Sequence, residues 1–158
     1  MVVTAVLDRH LDRLIDRIGV YQQDAGTLEP VARLEQGIAV LLGLIAAYRA
    51  GQRVHVAAMS GAPPALARSL RLRQRHLAHY YAGLIAEAVP EAVGRTELAM
   101  PAALSLLGMA CWHVLWFREG GALTQAAYAR LVAHMLIDGV RAAAAAGVGA
   151  WDRADDDG

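Results

Sequence analysis

Residues 108–140 read GMACWHVLWFREGGALTQAAYARLVAHMLIDGV, and this stretch decides the fold. Apolar side chains recur at helical spacing before and after the pair Gly120-Gly121, which predicts two helices separated by a turn. Thr124 is suited to cap the second helix, because its hydroxyl can accept a hydrogen bond from a free amide of the first turn. Since the turn is short, we expect the two helices to form an antiparallel hairpin.

Helical periodicity continues through the rest of the chain, and no segment sustains the alternation of a half-buried strand. The sequence therefore predicts an all-α fold, a six-helix bundle. The predicted helices cover residues 4–22, 30–50, 52–59, 65–89, 97–118 and 125–146. Pro30 suits the first position of its helix, Thr96 is expected to cap the fifth helix, and Gly147 is placed to end the last. Residues 1–150 are expected to form one ligand-binding and dimerisation domain, with an acidic tail at residues 151–158.

The composition limits the classes of function. The 158 residues include 15 Lys and Arg against 15 Asp and Glu, so the formal net charge is zero. Dedicated nucleic-acid-binding domains usually carry a basic excess, and this balance argues against one. The single cysteine, Cys111, excludes an intrachain disulfide and fits a reducing cytosol. The first residues lack the basic start and apolar core of a signal peptide, so we expect a cytoplasmic protein.

One uncharged stretch, residues 98–117, is long enough to cross a membrane. It contains Pro101, Ser105 and His113, however, and the next best apolar run, residues 38–47, is only half as long. We expect a helix that is buried by its own core on one side and by a partner subunit on the other, with no membrane.

The last two predicted helices are apolar on more than one face, more than one internal core of a chain this size can bury. Gly108 and Gly139 lie inside these helices, where glycine costs about 1 kcal/mol relative to alanine, which suggests close approach of another helix. The pattern predicts a homodimer in which two helices from each subunit form a four-helix bundle. The predicted interface residues are Leu107, Cys111, Leu115, Tyr128, Leu131, Met135 and Gly139.

The hairpin resembles the final helix pair of TetR-type transcriptional regulators. The matching features are a tryptophan near the end of the first helix, an aromatic-Arg step, a glycine turn, a Leu-Thr cap and a late glycine; they correspond to Trp116, Phe117-Arg118, Gly120-Gly121, Leu123-Thr124 and Gly139. The opening TAVLDRHLDRL is similar to the family's fourth helix, so the resemblance covers nearly the whole chain.

The resemblance implies an effector-sensing and dimerisation domain of a regulator, expected to be a repressor, that relays ligand binding through its first helix. Family members carry a helix-turn-helix head upstream, and this sequence has no counterpart of it. DNA binding is therefore expected only through an N-terminal head outside these residues. The alternative is a headless helical homodimer that acts as an interaction module, without ligand or DNA binding of its own.

In the family the small-molecule pocket lies inside the bundle, between the second, fourth and fifth of the predicted helices. Polar and aromatic residues interrupt the apolar stripes there, as a mostly apolar site with a few orienting polar groups requires. The candidate ligand-binding residues are Tyr48, His55, His79, Tyr80, Met109, Trp112 and His113. His113 is the sharpest candidate, and the competing interpretation is a core histidine or one at the dimer seam. Since no buried Lys or Arg is evident in these helices, a neutral or weakly polar lipophilic effector is expected.

Other chemistry finds little support in the sequence. His76 and His79 have a spacing that two ligands of one metal can adopt, but no third ligand is fixed, so no metal or other cofactor is expected. There is no nucleophile elbow and no isolated pair of carboxylates, so we expect no enzyme. Arg68, Arg71, Arg73 and Arg75 are spread around a helix and are interpreted as a solvated face, or as a docking site for the upstream head.

Overall fold

A computed structural model describes residues 12–13, 15–20, 25–48 and 64–147 of the chain. We number its helices α1 (residues 12–13 and 15–20), α2 (Pro30–Ala47), α3 (Pro64–Ala88), α4 (Thr96–Trp116) and α5 (Gln125–Ala145). Short 3-10 turns lie at Ala25–Thr27 and Pro90–Ala92. Within these residues every regular element is helical, so the all-α prediction is confirmed.

The helix count needs correction, since five helices rather than six are found in the described residues. The predicted short helix at residues 52–59 falls outside them, as do the acidic tail and most of the first half of the predicted first helix. The last three predicted helices and the second are all present, with ends displaced by at most three residues.

Local signals explain where most of these helices begin and end. Pro30 is the first residue of α2, where its missing amide costs nothing. The hydroxyl of Thr124 accepts a hydrogen bond of 3.1 Å from the amide of Ala127, and this confirms the predicted cap of α5. Gly147 follows α5 with a φ of +68°, a left-handed conformation that glycine adopts without strain.

Helix α4 differs from its prediction at both ends. Its N-cap is Arg95, whose carbonyl accepts from the amides of Leu98 and Ala99, and Thr96 is already helical. The Glu97 carboxylate lies in the first turn, where a negative charge is favourable. A backbone hydrogen bond and then the Arg95 guanidinium hold the pKa of this carboxylate below its ordinary value. At the other end the helix stops at Trp116 because Phe117 turns extended and buries its ring.

Helix α2 lies at the centre of the bundle and packs against α3, α4 and α5. Gly37 makes the contact with α3 close, since a Cβ there would lie 3.0 Å from Leu84 Cδ1. The hydroxyl of Tyr81, a fully buried side chain, donates a hydrogen bond of 2.9 Å to the carbonyl oxygen of Gly37. This bond ties α3 to α2 and gives the polar end of a core tyrosine its partner.

Helix α1 contacts the bundle through apolar and charged side chains. Ile18 is buried in the core, Asp12 accepts a hydrogen bond of 2.9 Å from Arg73 of α3, and the Arg13 guanidinium lies 5.5 Å from the ring centre of Tyr48. These contacts join α1 to both α2 and α3.

Among the described residues, two helices are long and apolar enough to cross a membrane by length and composition alone, namely α2 and α4. The expectation that residues 98–117 have no equal in this respect is therefore wrong. Core helices of globular proteins meet the same criterion, and both helices contribute buried residues to the common core.

Candidate functional site

A row of large apolar side chains is exposed on the pair α4 and α5. We call it the α4–α5 face, and it consists of Leu104, Trp112, Leu115, Trp116, Leu131 and Met135. On α4 the members fall within about one third of the helix circumference, with Leu115 and Trp116 adjacent in sequence, and on α5 they are four residues apart, so each helix presents them on one side. Trp112 and Met135 are the most open, with 61% and 56% of their surface exposed.

Each helix of the pair also contains one exposed glycine near this face. Gly108 and Gly139 are exposed, and no atom of the described chain lies within 4 Å of the place where either would carry a Cβ. Close packing inside the protomer therefore does not explain them. Gly108 lies one helical turn from both Leu104 and Trp112, so a helix approaching this face from outside would meet bare backbone there.

Behind the α4–α5 face lies an aromatic cluster of His113, Trp116, Phe117 and Tyr128. The His113 ring is almost fully buried and stacks on Tyr128, with ring centres 5.2 Å apart and planes 13° apart. The ring centre of Phe117 lies 4.3 Å from that of His113. The Trp116 ring contacts both His113 and Tyr128 edge-on. Burial raises the pKa of the Tyr128 hydroxyl, so the phenol stays neutral at ordinary pH. The cluster connects an exposed member of the face, Trp116, to the core.

A groove of about 370 Å³ lies between the start of α2 and the second half of α3. We call it the α2–α3 groove, and its lining residues are Gly26, Arg33, His79, Tyr80, Gly83, Leu84 and Glu87. Leu84 is a core residue and Tyr80 packs against the core, so part of the lining is apolar. Within the part of the chain that the structure describes, no atom lies within 4 Å of the Cβ position of Gly26 or Gly83, and the lack of side chains there leaves the groove open.

Arg33 is the charged group of the groove. Its Nη1 donates to Glu87 Oε2 at 2.6 Å and its Nη2 to the carbonyl oxygen of Leu28 at 3.2 Å. The Nε atom is buried and has no hydrogen-bond acceptor in the described part of the chain. This guanidinium therefore has an unused donor. A buried donor left without an acceptor costs about 1–3 kcal/mol.

The predicted ligand-binding residues are distributed over several places. His79 and Tyr80 line the α2–α3 groove, His113 belongs to the aromatic cluster, and Trp112 is on the α4–α5 face. Met109 packs against the core and Tyr48 ends α2 beneath Arg13. His55 lies outside the described residues.

The predicted interface residues are closer together. Leu115, Leu131 and Met135 are exposed on the α4–α5 face, with Gly139 one turn beyond Met135 on α5. Cys111 and Tyr128 are partly buried beside it. Leu107 points the other way, into the core of its own protomer, where it is 5% exposed.

Sequence reasoning missed Arg33 and Glu87. No buried basic residue was expected in the pocket helices, and Arg33 is partly buried, with 26% of its side chain exposed. Arg33 is the one basic residue of α2, and this was the available signal. Its partner could not be read from the sequence, since 54 residues separate the two.

The other polar clusters are exposed. Arg68, Arg71 and Arg75 line a second groove of about 280 Å³ on α3 together with Leu72, while Arg73 turns towards α1 and pairs with Asp12. His76 and His79 both lie on the surface of α3. Within the described residues no three His, Cys, Asp or Glu side chains come close enough to share a metal ion.

Residues 27–140 match the family model described as the C-terminal domain of tetracyclin repressor-like proteins. The chain belongs to the TetR family. No curated protein matches its sequence. Its fold is similar to that of a TetR-family transcriptional regulator from Bordetella parapertussis 12822, at 24% identity and a TM-score of 0.73, over 87% of this chain and 70% of that one. It is also similar to a TetR/AcrR-family regulator from Thermobifida fusca YX-ER1, at 22% identity and a TM-score of 0.53, over 87% and 69% of the two chains. The described residues are thus a TetR-like C-terminal regulatory domain.

Proposed function

We propose that this TetR-type regulatory domain forms a homodimer through the α4–α5 face and senses a small effector in its helical bundle. Its output is a change in the position of α1, which acts on DNA through an N-terminal head of a cytoplasmic repressor. The observation that carries the proposal is the α4–α5 face itself.

The face is suited to pairing with a second copy of the same surface. Six large apolar side chains on two adjacent helices are more than the scattered exposed residues of a monomer, and a contiguous apolar patch of this kind marks an interaction site. Two-fold pairing would set α4 and α5 of one copy against the same helices of the other, and the bare backbone at Gly108 and Gly139 would admit a close helix.

The attachments of α1 support a relay. Asp12 is held by α3 through Arg73, and Arg13 lies over Tyr48 at the end of α2. An effector in the α2–α3 groove that changes the spacing of these two helices would therefore move both anchors of α1. Such a ligand shifts the population of two arrangements by as much as its affinity for them differs.

Sedimentation equilibrium tests the dimer. We expect a mass twice the 16.8 kDa of the chain, with dissociation on dilution. A monomer at every concentration up to the solubility limit would contradict the proposal. A thermal-shift panel of small apolar, aromatic and amphiphilic compounds tests effector sensing, and a dimer that no compound stabilises would instead be an interaction module.

A further inference from the structure

We propose that the effector of this domain is a small amphiphilic acid, whose anionic group binds Arg33 in the α2–α3 groove in place of Glu87. The inference rests on the proposed effector-sensing function and names the class of ligand. It replaces the neutral ligand that the sequence alone predicts.

The Arg33 guanidinium is the group that would bind the anionic head. It is held in place from two sides, by Glu87 and by the carbonyl oxygen of Leu28, while its Nε atom is buried without an acceptor in the described residues. A carboxylate fits a guanidinium best through two parallel hydrogen bonds, and Glu87 makes only one within hydrogen-bond distance. The groove therefore presents a fixed cation that Glu87 binds through a single hydrogen bond.

Glu87 can be displaced from Arg33 at little cost. Its side chain is 48% exposed, so its carboxylate can turn back into water without a large desolvation change. Ion pairs this exposed contribute little to stability. A ligand carboxylate that makes two parallel hydrogen bonds to the Arg33 guanidinium would gain more than the released pair loses, because charge-assisted bidentate bonds are the stronger kind.

Part of the lining of the α2–α3 groove is apolar. Leu84 and the Tyr80 ring lie beside the charged pair, and Gly83 supplies no side chain to fill the space. The volume of about 370 Å³ is in the lower range of small-ligand sites. An acid with a short hydrocarbon body would place its chain against Leu84 and Tyr80 and its head at Arg33.

Isothermal titration calorimetry with octanoate tests the inference, and 1-octanol serves as the neutral ligand of equal chain length. We expect saturable binding of octanoate at least about tenfold tighter than that of octanol, with the difference reduced at high salt. Arg33→Gln should lower octanoate affinity to the octanol level and leave octanol unchanged. Glu87→Gln should tighten octanoate only, because the competing carboxylate is gone. Arg71→Gln, an exposed arginine of the other groove, is the matched control and should change neither.

Equal affinity for octanoate and octanol, or no saturable binding of octanoate, would overturn the inference. So would an Arg33→Gln variant that behaves like Arg71→Gln, or weaker octanoate binding by Glu87→Gln. Should Arg33→Gln fail to fold, Glu87→Gln decides the matter, since tighter binding cannot result from unfolding. If neutral compounds of the thermal-shift panel bind while octanoate does not, the acid class fails and effector sensing stands; a monomeric wild type contradicts only the proposed dimer.

Discussion

Charging the α4–α5 face at Leu131 and Met135 should dissociate the dimer. About half of each side chain is still exposed in the protomer, 48% and 56% respectively. Full burial of a large apolar side chain contributes about 1.5–3 kcal/mol, so covering the exposed half contributes about 0.7–1.5 kcal/mol. Two such residues on each of two copies give about 3–6 kcal/mol, which predicts that Leu131→Glu combined with Met135→Glu raises the dimer Kd by roughly 10²- to 10⁴-fold.

Sedimentation equilibrium of wild type and double variant measures this change, and the desolvation of four new carboxylates adds to it. Leu72→Glu is the matched control, because Leu72 is a leucine on a helix and is even more exposed, at 62%, but lies on α3, among arginines. The control should keep the wild-type Kd. A double variant that dimerises as tightly as wild type, or a control that dissociates equally, would refute the assignment of the face.

Three further substitutions test single contacts. Tyr81→Phe removes the hydrogen bond to the Gly37 carbonyl and should lower the free energy of unfolding by about 1 kcal/mol, measured by urea denaturation. Thr124→Ala removes the cap of α5 and should cost about 1 kcal/mol in the same assay, whereas Thr96→Ala, at a position without a cap bond, should cost less. Gly108→Ala should stabilise the protomer by up to about 1 kcal/mol through helix propensity and yet weaken the dimer; unchanged dimerisation would show that no helix approaches closely there.

The sequence was sufficient wherever one residue determines local geometry. Pro30, Thr124 and Gly147 act through their own backbone or hydroxyl chemistry, and the structure has each in its predicted role. The ends of α4 were mispredicted because distant contacts determine them. Phe117 leaves the helix and its ring centre lies 6.3 Å from that of Tyr128 on α5, and Arg95 takes the cap position while its side chain reaches the carbonyl oxygen of Ala144.

The candidate site follows the same division. An excess of apolar residues on α4 and α5 could be read from spacing, and three of the six members of the α4–α5 face, Leu115, Leu131 and Met135, were anticipated. Leu107 shows that spacing alone does not tell the core side from the outer side. The α2–α3 groove depends on pairing between helices far apart in the chain. His79 and Tyr80 were identified by residue type, and the Arg33–Glu87 pair needed the fold.

Tryptophan accessibility tests the central claim, that a second copy covers the α4–α5 face. The chain has three tryptophans, and in a Trp151→Phe variant the two that remain, Trp112 and Trp116, are both on this face. Acrylamide quenching of their fluorescence should weaken as protein concentration rises through the dimer Kd, and it should stay strong in the Leu131→Glu, Met135→Glu background. Quenching that is equally strong at all concentrations, in a protein that sediments as a dimer, would place the interface elsewhere and contradict the account.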